Sequence, residues 1–484
     1  MSVYLVGGLL LAYFGILMLI SALQPNRRKS NDVFFMGSRR SPWVVVAVGM
    51  VGASLSGVTF VSVPGMVRGS DMLYMQTVLG FFVGYVLIAE ILLPTYFRLK
   101  SPSIYAYLHD RLGRRSYKTG ASFFLLSKTI GAAARLYVVA IILQTFFFDR
   151  WQVPFWLTVS CIIVMIWLYT ARSGIKTIVW TDMLQTVCLL TALVLIIVQV
   201  ARSLGMGPGE CWQALVADGH FHLFEFQDWH SKQHFVKQFF SGIFIALVMT
   251  GLDQDMMQKN LSISNLKDAK RNIYTYGFAF IPVNFLFLSL GVLLLIFAAR
   301  HGYALPEASD EILPVFATQG YLGPAVTIFF MLGIIAAAFS SADSALTALT
   351  TSLCVDILDR PDDSRLRRRM HVVISLAVLL IIMVFRWVNS DSLIDALYTI
   401  TGYTYGPLLG LFAFGLTTRR PVLDSATPYI ALASPLLCAL IQYLSTRYLH
   451  YTFGYELLML NGLLTFAALF LCGRHRHDSP DGWK

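Results

Sequence analysis

Three groups of polar residues lie inside stretches that are otherwise apolar, and each could do chemistry there. In the run from Ala337 to Ser344, positions 337, 340, 341 and 344 follow i, i+3, i+4, i+7 and share one helical stripe, with Asp343 on its flank. Hydroxyls, a carboxylate and freed carbonyls can supply the five or six oxygens, roughly, that a small dehydrated cation needs. Alanine and serine alone would equally make a close helix contact. The acid shifts the reading toward a cation, because a mid-span carboxylate without a partner costs at least ~2.5 kcal/mol. The second group, Trp180-Thr181-Asp182, places another acid in an apolar stretch, where pairing with Lys176 at the interface is the alternative. If Asp182 and Asp343 face one pocket, their mutual repulsion leaves proton coupling open. The third is Arg135, with Lys128 two turns earlier on nearly the same face. An arginine there needs an anion, and the candidates are an internal acid such as Asp253 or Glu90, or a solute carboxylate held bidentately.

These residues need elements that can carry them through lipid. Of 484 residues 56% are hydrophobic and 13% charged, more apolar surface than a soluble fold of this length hides. A span needs about 20 apolar residues, and thirteen stretches qualify or nearly so: 3 to 23, 42 to 66, 72 to 97, 119 to 148, 153 to 171, 175 to 201, 236 to 254, 272 to 299, 321 to 356, 370 to 388, 393 to 416, 425 to 446 and 452 to 472. The expectation is an all-α polytopic membrane protein of about 13 transmembrane helices. The first stretch has no basic leader and no small-residue cleavage site, so it reads as a retained helix.

Charge follows topology. Most of the 37 Lys and Arg fall in alternate loops, among them Arg27, Arg28, Lys29, Arg39 and Arg40, then Arg111, Arg114 and Arg115, then Arg365, Arg367, Arg368 and Arg369. By the positive-inside rule that side is cytoplasmic, with the N-terminus outside and the C-terminus inside. The formal charge of +10 is therefore topological, and no nucleic-acid partner is expected. Six cysteines without close pairing read as core filler, and His220, His222, His230 and His234 as residues of a solvated loop, since no acid or cysteine is spaced to complete a metal site.

Two spans are anomalous. Gly49, Gly52, Ser54, Ser56, Gly57, Pro64 and Gly65 interrupt the second, while the seventh has a short uncharged part that ends at Thr250, Gly251 and Asp253. Irregular backbone at membrane depth is tolerated where it lines a cavity, and interrupted spans in corresponding places of two halves point to a transport site. Second and seventh are five apart, which fits a five-plus-five inverted repeat. The expected division is 1-24 as a peripheral helix, 42-201 and 233-416 as the two repeats, 425-472 as two further helices and 473-484 as a cytoplasmic tail.

With these residues in hand the chain resembles the sodium:solute symporter family along nearly its whole length, and within it the bacterial sialic-acid and sugar-type members. The motifs are Gly52-Ala53-Ser54-Leu55-Ser56-Gly57, Trp180-Thr181-Asp182 with Gln185, Asp253-Gln254 with Gln258, Ala337 through Ser344, and Gly402-Tyr403-Thr404-Tyr405-Gly406-Pro407. Ser173-Gly174 stands where the family usually has two glycines. The resemblance implies the leucine-transporter fold and a main sodium site on the carbonyls of Gly52, Leu55 and Ala337 and the hydroxyls of Ser340 and Ser341. A second cation site, present in some relatives, would use Asp182, Ser340 and Ser344, with Asp343 replacing a serine. Substrate contacts would come from Ser56, Thr59, Phe60, Gln76, Arg135, Asp253, Gln254, Tyr403 and Tyr405.

The function expected is sodium-coupled import of a small polar organic solute (sialic acid, monocarboxylate or sugar) across the plasma (inner) membrane by alternating access. Sodium is the transported ion, and the other partners are the solute and membrane lipid, with no obligate protein partner. A cation channel or sensor with a Ser/Asp-lined pathway, and a proton-coupled transporter on the same fold, are the alternatives. No HExxH motif or nucleophile elbow points to an enzyme.

Overall fold

Backbone groups in hydrocarbon must be satisfied within their own segment, so the apolar stretches become helices. The computed structural model describes residues 3–23, 31–99, 101–387 and 393–473. The basic cluster Arg27 to Lys29 and the tail beyond Gly473 lie outside them.

The principal helices are α1 (Val3–Leu23), α2 (Trp43–Ser54), α3 (Gly57–Ser70), α4 (Tyr74–Leu99), α5 (Arg114–Trp151), α6 (Phe155–Ser173), α7 (Ile175–Ser203), α8 (Phe235–Gly251), α9 (Gln254–Leu261), α10 (Leu266–His301), α11 (Pro324–Ile357), α12 (Ser364–Phe385), α13 (Leu393–Thr417), α14 (Thr427–Tyr448) and α15 (Leu457–Leu471). Among the described residues there is no strand. Among the described residues seven helices are long and apolar enough to cross a membrane, or nine when each of two bent pairs counts as one span. By the same measure the apolar parts of α1, α6 and α15 are shorter.

Both bent pairs fall on the spans whose composition is anomalous. Between α2 and α3 the axis turns by 59°, and between α8 and α9 by 63°. At the first break Leu55 leaves the helix with ψ 82° and Ser56 is extended with ψ 173°. At the second, a widened π turn over Leu247–Gly251 ends α8, and Asp253 is extended with ψ 118°. Its carboxylate then accepts the amides of Asp255 and Met256, capping α9. The seventh span thus runs past its expected end at 254 through a second, polar half-helix.

Two of the half-helices pack crosswise between the halves of the chain. The second half of the first broken span, α3, lies against α10, while α8 lies against α4. Glycine permits the second contact: a Cβ on Gly80 would collide with the carbonyl of Phe239, and one on Gly242 with that of Thr77. Around this group, α11 packs on α7 and α5, and α13 on α5 and α15. The most apolar windows of α10 and α11 are 72% and 78% buried, against 28% in α12 and 22% in α14, so the first two are central and the last two face outward.

Candidate cation and solute site

Asp182 sits on α7 where α2 crosses it. A Cβ on Gly49 would come within 2.9 Å of the Asp182 Cβ, and one on Gly52 would collide with the Thr186 hydroxyl. Glycine at both positions therefore lets the end of α2 lie flat on the acid-bearing face of α7. At the break the Ser56 amide, which in an unbroken helix would close onto Gly52, bonds the Ser54 carbonyl instead at 3.1 Å. That releases the Gly52 carbonyl from its i+4 donor. Opposite, the Ser341 hydroxyl bonds back to the carbonyls of Ala337 (3.0 Å) and Ala338 (3.2 Å) on α11, which packs against α2.

The Ser340 hydroxyl donates to Asp182 Oδ1 at 2.8 Å, and that of Ser344 reaches Asp182 Oδ2 at 3.4 Å and Asp343 Oδ1 at 3.2 Å. The two acids thus share one serine. Asp343 also accepts the Tyr169 hydroxyl at 2.8 Å and the Ser344 amide. Close by, the Tyr13 hydroxyl and both polar atoms of Gln185 are buried without a hydrogen-bond partner.

Asp182 does not pair with Lys176. Its partner is Lys259 on α9, whose Nζ lies 2.8 Å from Asp182 Oδ2, with both side chains at 1% exposure or less. The span limits read from hydropathy leave Lys259 in a cytoplasmic loop, yet α9 turns it inward. From there a line of ion pairs continues: Lys259 to Asp255 at 3.5 Å, Asp255 to Lys128 at 2.8 Å, and Lys128 to Asp253 at 3.0 Å. The Tyr405 hydroxyl closes the line on Asp253 Oδ2 at 2.9 Å. Asp255 and Lys259 escape a hydropathy reading because they sit with Gln254, Gln258 and Asn260 on a short, mostly polar helix. The signal that finds them is their i, i+4 spacing directly after a capping aspartate.

Arg135 has neither of the internal partners expected of it. Asp253 is taken by Lys128 and Tyr405, and Glu90 by Lys270 and Tyr274 at 2.6 Å each. Its Nε is buried without a hydrogen-bond partner, and its side chain lines a cavity shared with Ser54, Tyr85, Thr250, Asp255 and Tyr276. The cavity therefore touches the inner end of α2 and the end of α8, so both breaks open onto it. The Tyr276 hydroxyl is hydrogen-bonded to Ser54 at 2.6 Å and to Tyr85 at 2.8 Å, while Phe81 and Phe280 supply apolar walls.

Several other residues expected to touch solute are engaged elsewhere. The Gln76 amide bonds the Gln233 carbonyl and the Glu225 amide in the loop that follows α7. Gln254 holds Pro102 and Ile104, Tyr403 donates to Gln442, and Phe60 packs on Phe287 and Phe330. Ser56 is buried at the first hinge, and Thr59 is half-buried one turn into α3; neither lines the cavity. In the histidine loop, His220 pairs with Asp71 at 2.8 Å and His234 caps α8 through its ring, and no cluster that could hold a metal occurs among the described residues.

A twice-broken helical bundle with an acid and serine pocket at one break and a basic cavity between both is the architecture of a secondary transporter. The sodium:solute symporter family model matches residues 34–424, and the chain belongs to that family. It is 27% identical over 433 residues to the sodium/sialic acid symporter NanT of Aliivibrio fischeri, covering 86% of this chain and 84% of that protein. To the sodium/sialic acid symporter SiaT of Proteus mirabilis it is 26% identical over 458 residues, 91% of this chain and 88% of that one. Among solved structures, the substrate-bound outward-open state of a Na+-coupled sialic acid symporter aligns with a TM-score of 0.83 at 21% identity, over 96% of this chain and 97% of that one. Mhp1, a nucleobase-cation-symport-1 family transporter, aligns at 0.60 and 13% identity over 90% of this chain and 93% of that one. These likenesses show the leucine-transporter fold. The chain is a multi-pass membrane protein of a family of sodium-coupled solute symporters.

Proposed function

We propose that this protein imports a small organic solute bearing a carboxylate, sialic acid or a monocarboxylate, together with sodium. The observation that carries the reading is Arg135: a buried guanidinium nitrogen without a partner, in a cavity opened by both broken spans. An anion there would take the fork of donors that the protein leaves unused. Hydroxyls and aromatic rings on the same walls suit the rest of a polar organic molecule. The two sialic-acid symporters with which the chain aligns over most of its length support the same class.

Sodium would bind on the carbonyls of Gly52, Leu55 and Ala337 and the hydroxyls of Ser340 and Ser341, tying the first break to α11. Coupling follows if sodium favours the conformation that binds solute. The crosswise packing of α3 on α10 and α8 on α4 supports a five-plus-five inverted repeat within about 13 spans. The charge asymmetry of the loops supports an N-terminus outside and a cytoplasmic C-terminus in the plasma (inner) membrane.

Purified protein screened for thermal stabilisation by sialic acids, monocarboxylates, amino acids and neutral sugars, with and without sodium, tests the reading. Stabilisation by carboxylates in sodium, lost in Arg135→Ala, is expected. The same solutes should accumulate in proteoliposomes only under an inward sodium gradient. Stabilisation confined to neutral sugars overturns the carboxylate, and uptake indifferent to the gradient overturns the coupling.

A further inference from the structure

We infer that Lys259 is a tethered cation that holds the place of a second sodium ion at Asp182, so that sodium binds at the main site alone. The inference rests on the sodium-coupled reading above. Two acids beside three serines read, on sequence, as a second cation site, and in the fold that pocket already contains a positive charge. Lys259 Nζ is 2.8 Å from Asp182 Oδ2, and the Ser340 hydroxyl donates to Oδ1 at 2.8 Å. Both carboxylate oxygens are thereby engaged. A sodium ion bound to the same carboxylate would have to share it with an ammonium in a pocket where both side chains are at 1% exposure or less. Little solvent is present there to screen two like charges.

The contact has the character of an ion site. The Lys259 ammonium lies 2.8 Å from Asp182 and 3.5 Å from Asp255, so it stands between two carboxylates. The hydroxyls of Ser340 and Ser344 are turned to Asp182 and Asp343. That is how hydroxyls solvate a carboxylate whose cation stands to one side. Lys259 also belongs to α9, the inner half of a broken span, whereas Asp182 belongs to α7. A charge that is covalently part of the protein can neutralise Asp182 without being released to either side of the membrane.

The number of sodium ions bound is read from a sodium titration of thermal stability. The full chain in detergent is heated at increasing sodium chloride, with choline chloride holding ionic strength constant. Each bound ion stabilises by RT ln(1 + [Na]/Kd), so well above the midpoint the rise in Tm per tenfold sodium scales with the number of sites. Wild type should show a one-ion slope, which Ser341→Ala should move as a whole to sodium concentrations about tenfold or more higher. Lys259→Ala, which vacates the pocket, should double the slope, Lys259→Arg should keep the wild-type value, and Asp182→Asn with Lys259→Ala should return to it. A folded Lys259→Ala whose slope is unchanged has lost only a structural ion pair, and this overturns the inference. Should Lys259→Ala fail to fold, Ser341→Ala still decides: a response that splits, half staying at the wild-type sodium range and half moving about tenfold higher, means that sodium occupies a second site with Lys259 present, which also overturns the inference. Absence of any sodium response in wild type overturns sodium coupling itself.

Discussion

Ser340, Ser341 and Ser344 share one stripe of α11 but differ in what they touch. Ser341 bonds only the carbonyls of its own preceding turn, Ser340 reaches across to Asp182, and Ser344 bridges Asp182 and Asp343. If the first two hold sodium, removing either hydroxyl removes a ligand to a charge, an interaction of about 1.5–3 kcal/mol. Ser340→Ala and Ser341→Ala should each raise the sodium concentration for half-maximal uptake about tenfold or more, where 1.4 kcal/mol is tenfold. Ser344→Ala should raise it less. At Arg135 the charge matters less than its planar fork: Arg135→Lys should keep uptake while raising the solute KM about tenfold, and Arg135→Ala should abolish it. The acids, serines and Arg135 were all legible from residue type within apolar runs. Their partners were not, because spacing along one helix says which face a side chain shares and nothing of which helix it meets. Thus Asp182 finds Lys259 across 77 positions and not its neighbour Lys176.

The elements that position these residues announced themselves through glycine. Gly52, Ser56 and Gly57 mark the first break, and Gly251 and Asp253 the second, because such residues hold a helix poorly while tolerating close approach and extended backbone. Hydropathy failed at α9, whose charged residues imitate a loop until burial against α11 and α7 shows otherwise. Lys128 on α5 satisfies both Asp253 and Asp255, so it joins α5 to the second break. Lys128→Met would leave two buried carboxylates short of a cation, a loss on the order of 3–5 kcal/mol. A markedly lower melting temperature in detergent, partly restored by adding Asp253→Asn, checks this. Past the end of α11, Asp359 is held below the usual carboxylate range by hydrogen bonds from Lys118 and Arg114. A depressed acid contributes stability above its unfolded pKa and loses it as pH falls through the folded one. The fall in melting temperature between pH 7 and pH 3 should therefore be smaller in Asp359→Asn than in wild type.

For the whole molecule the orientation is open to direct measurement. In a variant without its native cysteines, Gln227→Cys in the exposed loop after α7 should react with an impermeant maleimide in intact cells. Asp362→Cys, beyond α11, should react only after permeabilisation. The reverse pattern would invert the assigned topology. The crosswise packing carries a further consequence, for biogenesis. Lys128 stands 125 residues ahead of Asp253, the acid that neutralises it together with Asp255. At about 5–20 residues per second the ribosome takes roughly 6–25 s to deliver that partner. During this interval α5 carries a lysine whose insertion costs about 2.5–3.5 kcal/mol at the centre of a span. Likewise α3 is synthesised long before α10, against which it packs. The first half of the chain is therefore held in lipid at a cost until α8 to α10 arrive, and the stretch α2 to α7 expressed alone should insert less completely than within the full chain.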